Sequence, residues 1–191
     1  AVHSGKCIDV SLGTSSSSGT VHQWTCHGRP NQQWTWATGT SLPPEPPAPP
    51  SGQTTSFTVA HSSKCLEISD SSQSHGGVAI QNTCDSGENQ QFQLTPVGSN
   101  TFQLIAQHSD QCLEIAGAST SNGARVQQNA CHNGSNQRFR VTNSPSTLVA
   151  VHSGKCIDVS LGTSSSSGTI HQWTCHGRPN QQWTWAAGTS P

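Results

Sequence analysis

Charge is what this 191-residue chain has least of: 8 Lys and Arg with 9 Asp and Glu make up 9% of it and leave a formal net charge of −1. Nucleic acids and anionic membranes are held by clustered cations that release counterions, and eight cations scattered along the chain form no such stripe. Both partners are set aside. No apolar run is long enough to span a bilayer, which excludes an inserted helix, and no leader with a basic start and an apolar centre is read. Methionine is absent altogether, so the chain reads as a processed product or a piece of something longer. No segment sustains a helical period, which leaves short strands and turns. Nor does Cys-x-x-Cys occur, and that removes the commonest zinc spacing.

What is present is repetition. Eight cysteines fall into four pairs of equal separation, Cys7/Cys26, Cys65/Cys84, Cys112/Cys131 and Cys156/Cys175. A disulfide inside each repeat explains equal loops, whereas a metal cluster does not. Each bridge would contribute about 3 kcal/mol by loop entropy. Such bridges persist in oxidising compartments, so a secreted or extracellular location is expected. Each copy also closes on Asn-Gln-x-aromatic, ending in Trp34, Phe92, Phe139 and Trp183. A unit this short cannot bury a core alone, so copies must pack into one body. Apolar and polar steps alternate in Phe57-Thr58-Val59 and Cys65-Leu66-Glu67-Ile68, and Gly and Ser clusters such as Ser15 to Gly19 interrupt them. The pattern predicts an all-β fold.

Ala1 to Ser41 and Ala150 to Ser190 are the same sequence except at Val21 against Ile170 and Thr38 against Ala187. Between the first and second copies runs a proline-rich spacer, Leu42 to Thr54, which should extend as polyproline II at about 3.1 Å per residue. The expected division is therefore one repeat at 1–41, a linker at 42–54 and three repeats at 55–191.

Cys-Ile-Asp-Val at Cys7 to Val10 and Cys156 to Val159, the Trp two residues before the second cysteine, and the closing Asn-Gln-x-Trp together resemble the ricin B-type lectin repeat, which also defines family 13 carbohydrate-binding modules. The resemblance covers all but the spacer. It implies a β-trefoil for 55–191, three repeats forming a six-stranded barrel capped by three hairpins about a pseudo-threefold axis. The first repeat is then an orphan, the third lobe of a truncated preceding trefoil. Its apolar face would be exposed, so a homo-oligomer through that repeat is expected.

A sugar offers hydroxyls that donate and accept, and one apolar face of C–H groups, so its site needs a carboxylate, neutral polar partners and an aromatic platform. The resemblance assigns these in repeat four to Asp158 as bidentate acceptor, Trp173 as platform, His171, Asn180 and Gln181. Repeat one supplies Asp9, Trp24, His22, Asn31 and Gln32. The family often has Gln where His22 and His171 stand, which implies pH-sensitive binding. Repeats two and three depart from the pattern: Glu67 and Glu114 replace Asp, and Asn82 and Asn129 replace the platform. Their remaining polar sets, Asn89 and Gln90 in one and Gln127, Asn136 and Gln137 in the other, imply weak or altered sites. Second readings stand beside these. Asp9 and Asp158 are also turn-capping residues by type, and the Asn-Gln pairs tie loops as readily as they hold sugar. Trp34, Trp183, Phe92 and Phe139 are read as core, and Trp36 and Trp185 are left unassigned. His3, His61, His108 and His152, each four residues before a first cysteine, are read as strand hydrogen-bonding groups rather than metal ligands.

The function implied is non-catalytic docking of galactose-, xylose- or arabinose-type units of a polysaccharide or glycoconjugate, with no cofactor. A glycoside hydrolase needs two carboxylates flanking one bond, and repeat symmetry scatters Asp9, Glu67, Glu114 and Asp158 instead. A sugar-independent interaction trefoil is the remaining alternative.

Overall fold

The computed structural model describes residues 6–10, 21–27, 32, 52, 54–143 and 146–185. His3, the Ser15 to Gly19 run, Asn31, Trp34, Trp36 and most of the proline-rich spacer lie outside the described residues. The chain divides into two compact units, Ala1–Pro44 and Glu45–Pro191.

In the first unit β1 (Cys7–Val10) pairs antiparallel with β2 (Val21–Trp24), placing Cys7 opposite Trp24 and Asp9 opposite His22. The Cys7–Cys26 disulfide closes the hairpin.

The second unit repeats one four-strand plan three times. Its strands are β3 (Thr54–Thr55) with β4 (Phe57–Val59), β5 (Cys65–Ile68), β6 (Ala79–Asn82) and β7 (Phe92–Gly98) in repeat two. Repeat three contributes β8 (Thr101–Ala106), β9 (Cys112–Ile115), β10 (Val126–Asn129) and β11 (Phe139–Asn143), and repeat four β12 (Ser146–Ala150), β13 (Cys156–Val159), β14 (Gly168–Trp173) and β15 (Trp183–Trp185). The outer strands of each repeat line a barrel: β7 pairs β8, β8 pairs β11, β11 pairs β12, and β15 returns to β4. The middle strands form three hairpins, β5/β6, β9/β10 and β13/β14. This is a β-trefoil, and closing the last strand on the first hides edges that would invite aggregation.

Alternation explains which side chains enter the barrel. Along β8 every second residue is buried, putting Phe102, Leu104 and Ala106 inside. Phe92, Phe139 and Trp183 from the closing tetrads are fully buried, as expected of core residues. The indole N–H of Trp183 donates to the Ile157 carbonyl at 3.0 Å, so its burial leaves no donor unmet. Trp185, unassigned from sequence, packs partly buried against the core, its ring centroid 6.3 Å from Phe57.

Glutamine locks the hairpins together. Gln81, Gln128 and Gln172 are fully buried, and each side-chain amide donates to two carbonyls of a neighbouring repeat: Thr163 and Ser165, Ser72 and Ser74, Ser119 and Ser121. Each amide oxygen accepts a serine hydroxyl, from Ser62, Ser109 or Ser153. His61, His108 and His152 bond through Nε2 to the backbone oxygens of Thr163, Ser72 and Ser119. The recurring histidine is thus a hydrogen-bonding group, though it sits in a turn rather than a strand, and its partner lies on a neighbouring repeat. The disulfides Cys65–Cys84, Cys112–Cys131 and Cys156–Cys175 each stay within one repeat.

Candidate functional site

The hairpin register puts one carboxylate at the same place in every repeat. On β13 Asp158 faces His171 of β14, on β9 Glu114 faces Gln127, and on β5 Glu67 faces Ile80. All three carboxylates are buried, and the closing tetrad folds back over each through a short 3-10 turn, Glu88–Gln90, Ser135–Gln137 or Pro179–Gln181.

Around Asp158 the protein builds a cage of donors. Oδ1 accepts from His171 Nε2 at 3.0 Å. Oδ2 accepts from Gln181 Nε2 at 2.8 Å and Asn180 Nδ2 at 3.0 Å, and His176 Nε2 stands 3.3 Å away. His176 Nδ1 accepts the Arg178 backbone N–H at 3.2 Å, so the ring carries its proton on Nε2, facing the carboxylate. Two carboxylate oxygens have about four lone-pair sites, and this set leaves room for a further hydroxyl at Oδ1. Gln181 is fully buried and also bonds the Thr174 carbonyl and the His176 N–H. Asn180 donates to the Val159 carbonyl as well.

Beside the cage Trp173 is 40% exposed, and its ring lies stacked with that of His171, centroids 5.3 Å apart and 26° between planes. An imidazole held by a carboxylate on one side and by an indole on the other has little freedom. Carboxylate, imidazole and indole open together into a pocket of about 430 Å³. Leu161 forms part of its wall, fully exposed and at φ 57°, a left-handed conformation that a branched side chain rarely takes.

In repeat one the described residues build part of the same cage around Asp9. Gln32 Nε2 donates to Asp9 Oδ2 at 2.8 Å, with His22 and His27 at 3.5 and 3.3 Å from the two oxygens. Trp24 is exposed, its ring 5.8 Å from His22 at 63°.

The other two repeats keep the carboxylate and lose the platform. Glu114 accepts from Gln127, Asn129, Asn136 and Gln137, with His132 at 3.5 Å. Burial pushes this carboxyl up, but the hydrogen bonds from Asn129, Gln127, Gln137 and His132 outweigh it and hold the group below its ordinary value. Glu67 accepts from Gln90 at 2.6 Å and Asn82 at 3.2 Å, whereas Asn89 turns instead to the Ile68 carbonyl.

A family model of the ricin-type β-trefoil lectin domain matches residues 53–183, and one of the ricin-type β-trefoil lectin domain-like group matches 1–42. The chain belongs to the ricin-type β-trefoil lectin family. No curated protein is significantly similar to it. Among solved structures, the designed threefold-symmetric protein ThreeFoil is 36% identical over 69% of this chain and 96% of its own, with a TM-score of 0.68. The exo-β-1,3-galactanase 1,3Gal43A of Clostridium thermocellum is 25% identical over 73% of this chain and only 31% of the enzyme, TM-score 0.69. The ricin B-like lectin of Macrolepiota procera, solved with lactose, shares the fold at 19% identity, 73% and 98% coverage and TM-score 0.61.

In this ricin-type lectin, sequence reasoning overlooked His176, Arg178 and Leu161 at the pocket of repeat four. A signal for the first existed: a histidine follows the second cysteine in three repeats, as His27, His132 and His176, while Asp85 replaces it in repeat two.

Proposed function

We propose that the chain is a non-catalytic carbohydrate-binding module whose principal site is the pocket of repeat four. The observation that carries this is the buried Asp158 carboxylate, caged by donors, next to an exposed Trp173 in one open pocket. Oδ1 accepts a sugar hydroxyl, Asn180 and His171 complete its pairing, and the apolar sugar face stacks on Trp173. Gln181 is a positioning residue, since its amide is spent inside the protein. Leu161 supplies an apolar wall. Repeat one carries the same set in Asp9, His22, Trp24, Asn31 and Gln32, and repeats two and three bind weakly for want of the ring.

A galactose-type unit is the sugar favoured over xylose or arabinose, supported by the galactanase and the lactose-bound lectin among the relatives. Among the described residues the pocket holds a single carboxylate, Asp158, which favours docking over hydrolysis because glycosidases work with a pair. The four disulfides favour a secreted protein, and no described helix is long and apolar enough to cross a membrane. A site this open has an expected Kd on the order of 0.1–1 mM, and binding at several repeats of one chain raises avidity on a polymer.

Trp173→Ala is the cleaner probe, because removing Asp158 strands its donors. Calorimetric titration with a galactoside and with lactose should show most of the repeat-four binding lost in Trp173→Ala at an unchanged melting temperature. Because repeat one carries the same set, the comparison is made in a Trp24→Ala background, where unchanged affinity and unchanged stoichiometry on adding Trp173→Ala would reject the site.

A further inference from the structure

We infer that the pocket of repeat four selects a saccharide bearing an anionic group, a carboxylate or a sulfate ester, which Arg178 engages while the ring stacks on Trp173. The inference rests on the reading of this pocket as a sugar site and adds the class of ligand to it.

Arg178 lines the pocket, is exposed, and its guanidinium makes no ion pair or hydrogen bond among the described residues; its backbone alone is engaged, the N–H donating to His176 and the carbonyl accepting from the Gln181 N–H. Among the described residues of the pocket wall the one carboxylate is Asp158, and it accepts hydrogen bonds from His171, Asn180 and Gln181 with His176 beside it. A guanidinium is a planar fork that pairs carboxylate and sulfate oxygens two at a time, which a hydroxyl cannot reproduce. The wall of this pocket therefore presents one cation with no partner among the described residues, beside a carboxylate that is buried and already hydrogen-bonded.

Comparison among the repeats sharpens the point. The loop between the second cysteine and the Asn-Gln pair carries Asp85 and Glu88 in repeat two, where an anion would be repelled. In repeat three the same loop reads His132-Asn133-Gly134-Ser135, without a permanent charge. Only repeat four, and in sequence repeat one through Arg29, has an arginine there. In repeat three the nearest guanidinium, Arg138, is spent on the Asn133 carbonyl of that loop, so among the trefoil repeats the unpartnered arginine and the exposed tryptophan occur together in repeat four, and one pocket holds both halves of an acidic-sugar site.

The test is a titration of the full chain, followed by the tryptophan indole signals in an NMR spectrum, with methyl galactoside, galacturonic acid and galactose 6-sulfate at pH 7 and low salt. An acidic sugar is expected to bind about fivefold more tightly than the neutral one, the range of a partly exposed ion pair, and the preference should shrink with added salt. The double variant Arg29→Gln/Arg178→Gln should bring the ratio to about one, and Arg29→Lys/Arg178→Lys should restore part of it by returning the charge without the fork. A preference for galacturonic acid alone, or for the sulfate alone, identifies which anion the fork reads. Equal affinities for all three sugars in the parent chain, or a preference untouched by the glutamine variant, would overturn the inference while leaving the sugar site standing. No response of any indole signal to any sugar would overturn both.

Discussion

Repeats one and four are almost the same sequence, yet they differ in what is buried. Asp9 and Asp158 are equally hidden, and the Gln-carboxylate bond is 2.8 Å in both. Ile8 and Val21 are instead 51% and 56% exposed, while their counterparts Ile157 and Ile170 are fully buried. The carboxylate cage is therefore a local product of one hairpin, its 3-10 turn and its disulfide. The apolar face is completed only by other repeats. In repeat four those are β6 of repeat two, paired with β14, and the Ala124 carbonyl of repeat three, which accepts the Gln172 N–H. Site geometry and core burial are separable, since nearly the same sequence forms the cage with Ile8 and Val21 exposed and with Ile157 and Ile170 buried.

The largest effect expected from breaking this comparison is at Trp183. It is fully buried and donates to the Ile157 carbonyl, so Trp183→Ala empties a core position and strands an acceptor. A loss of about 3–5 kcal/mol is expected, read from chemical denaturation. An unshifted midpoint would mean the trefoil does not depend on its closing aromatics. Next comes the matched pair Ile157→Ala and Ile8→Ala. The first should cost about 2–5 kcal/mol and the second about 0.5 kcal/mol or less, since an exposed side chain forfeits little burial. Equal costs would show that both repeats sit in equivalent environments in solution.

The same separation explains what could be read from residues alone. Cysteine spacing and the alternating strands are periodic signals that repeat in phase, so the bridges and an all-β chain follow from them, while the trefoil barrel and the burial of the tetrad aromatics followed from the family resemblance. Asp158 and Trp173 were legible through the family resemblance, which places them at fixed offsets from the two cysteines of the repeat. His176, Arg178 and Leu161 were not, since they lie in irregular turns whose side chains meet the pocket only after the closing tetrad folds back. Gln172 was missed for another reason. Glutamine is so frequent in this chain that nothing in composition separates a fully buried amide from an exposed one.

A smaller effect extends the comparison to repeat three, where the cage is built on a glutamate. The Glu114 carboxyl is held below its ordinary value when folded, because bonds from Asn129, Gln127, Gln137 and His132 outweigh the upward push of burial. A depressed folded value means the unfolded chain binds the proton more readily. The cage then contributes stability that is fully present above the ordinary carboxylate range and is lost as pH falls through the depressed value. Glu114→Gln should accordingly lower the melting temperature at pH 7 and lose that deficit toward pH 3. A deficit that persists at pH 3 would assign the effect to shape and hydrogen bonding rather than to charge.

The smallest effect concerns the exposed face itself. Ile157 and Ile170 are buried by two further repeats, and Ile8 and Val21 present nearly the same side chains to solvent, so copies of this chain are the complementary surface at hand. ThreeFoil, a threefold-symmetric design, shows that this fold accommodates a symmetric arrangement of like repeats. The apolar area on one hairpin is small, and ordering three chains costs translational freedom, so association should be weak and visible only at high concentration. Light scattering over a dilution series should show mass rising with concentration, and Ile8→Ser/Val21→Ser should flatten that rise. A parent chain that is strictly monomeric throughout, with the double variant indistinguishable from it, would mean that exposed apolar side chains in repeat one are tolerated without any partner repeat, and that near-identity of sequence does not carry the packing of repeat four with it.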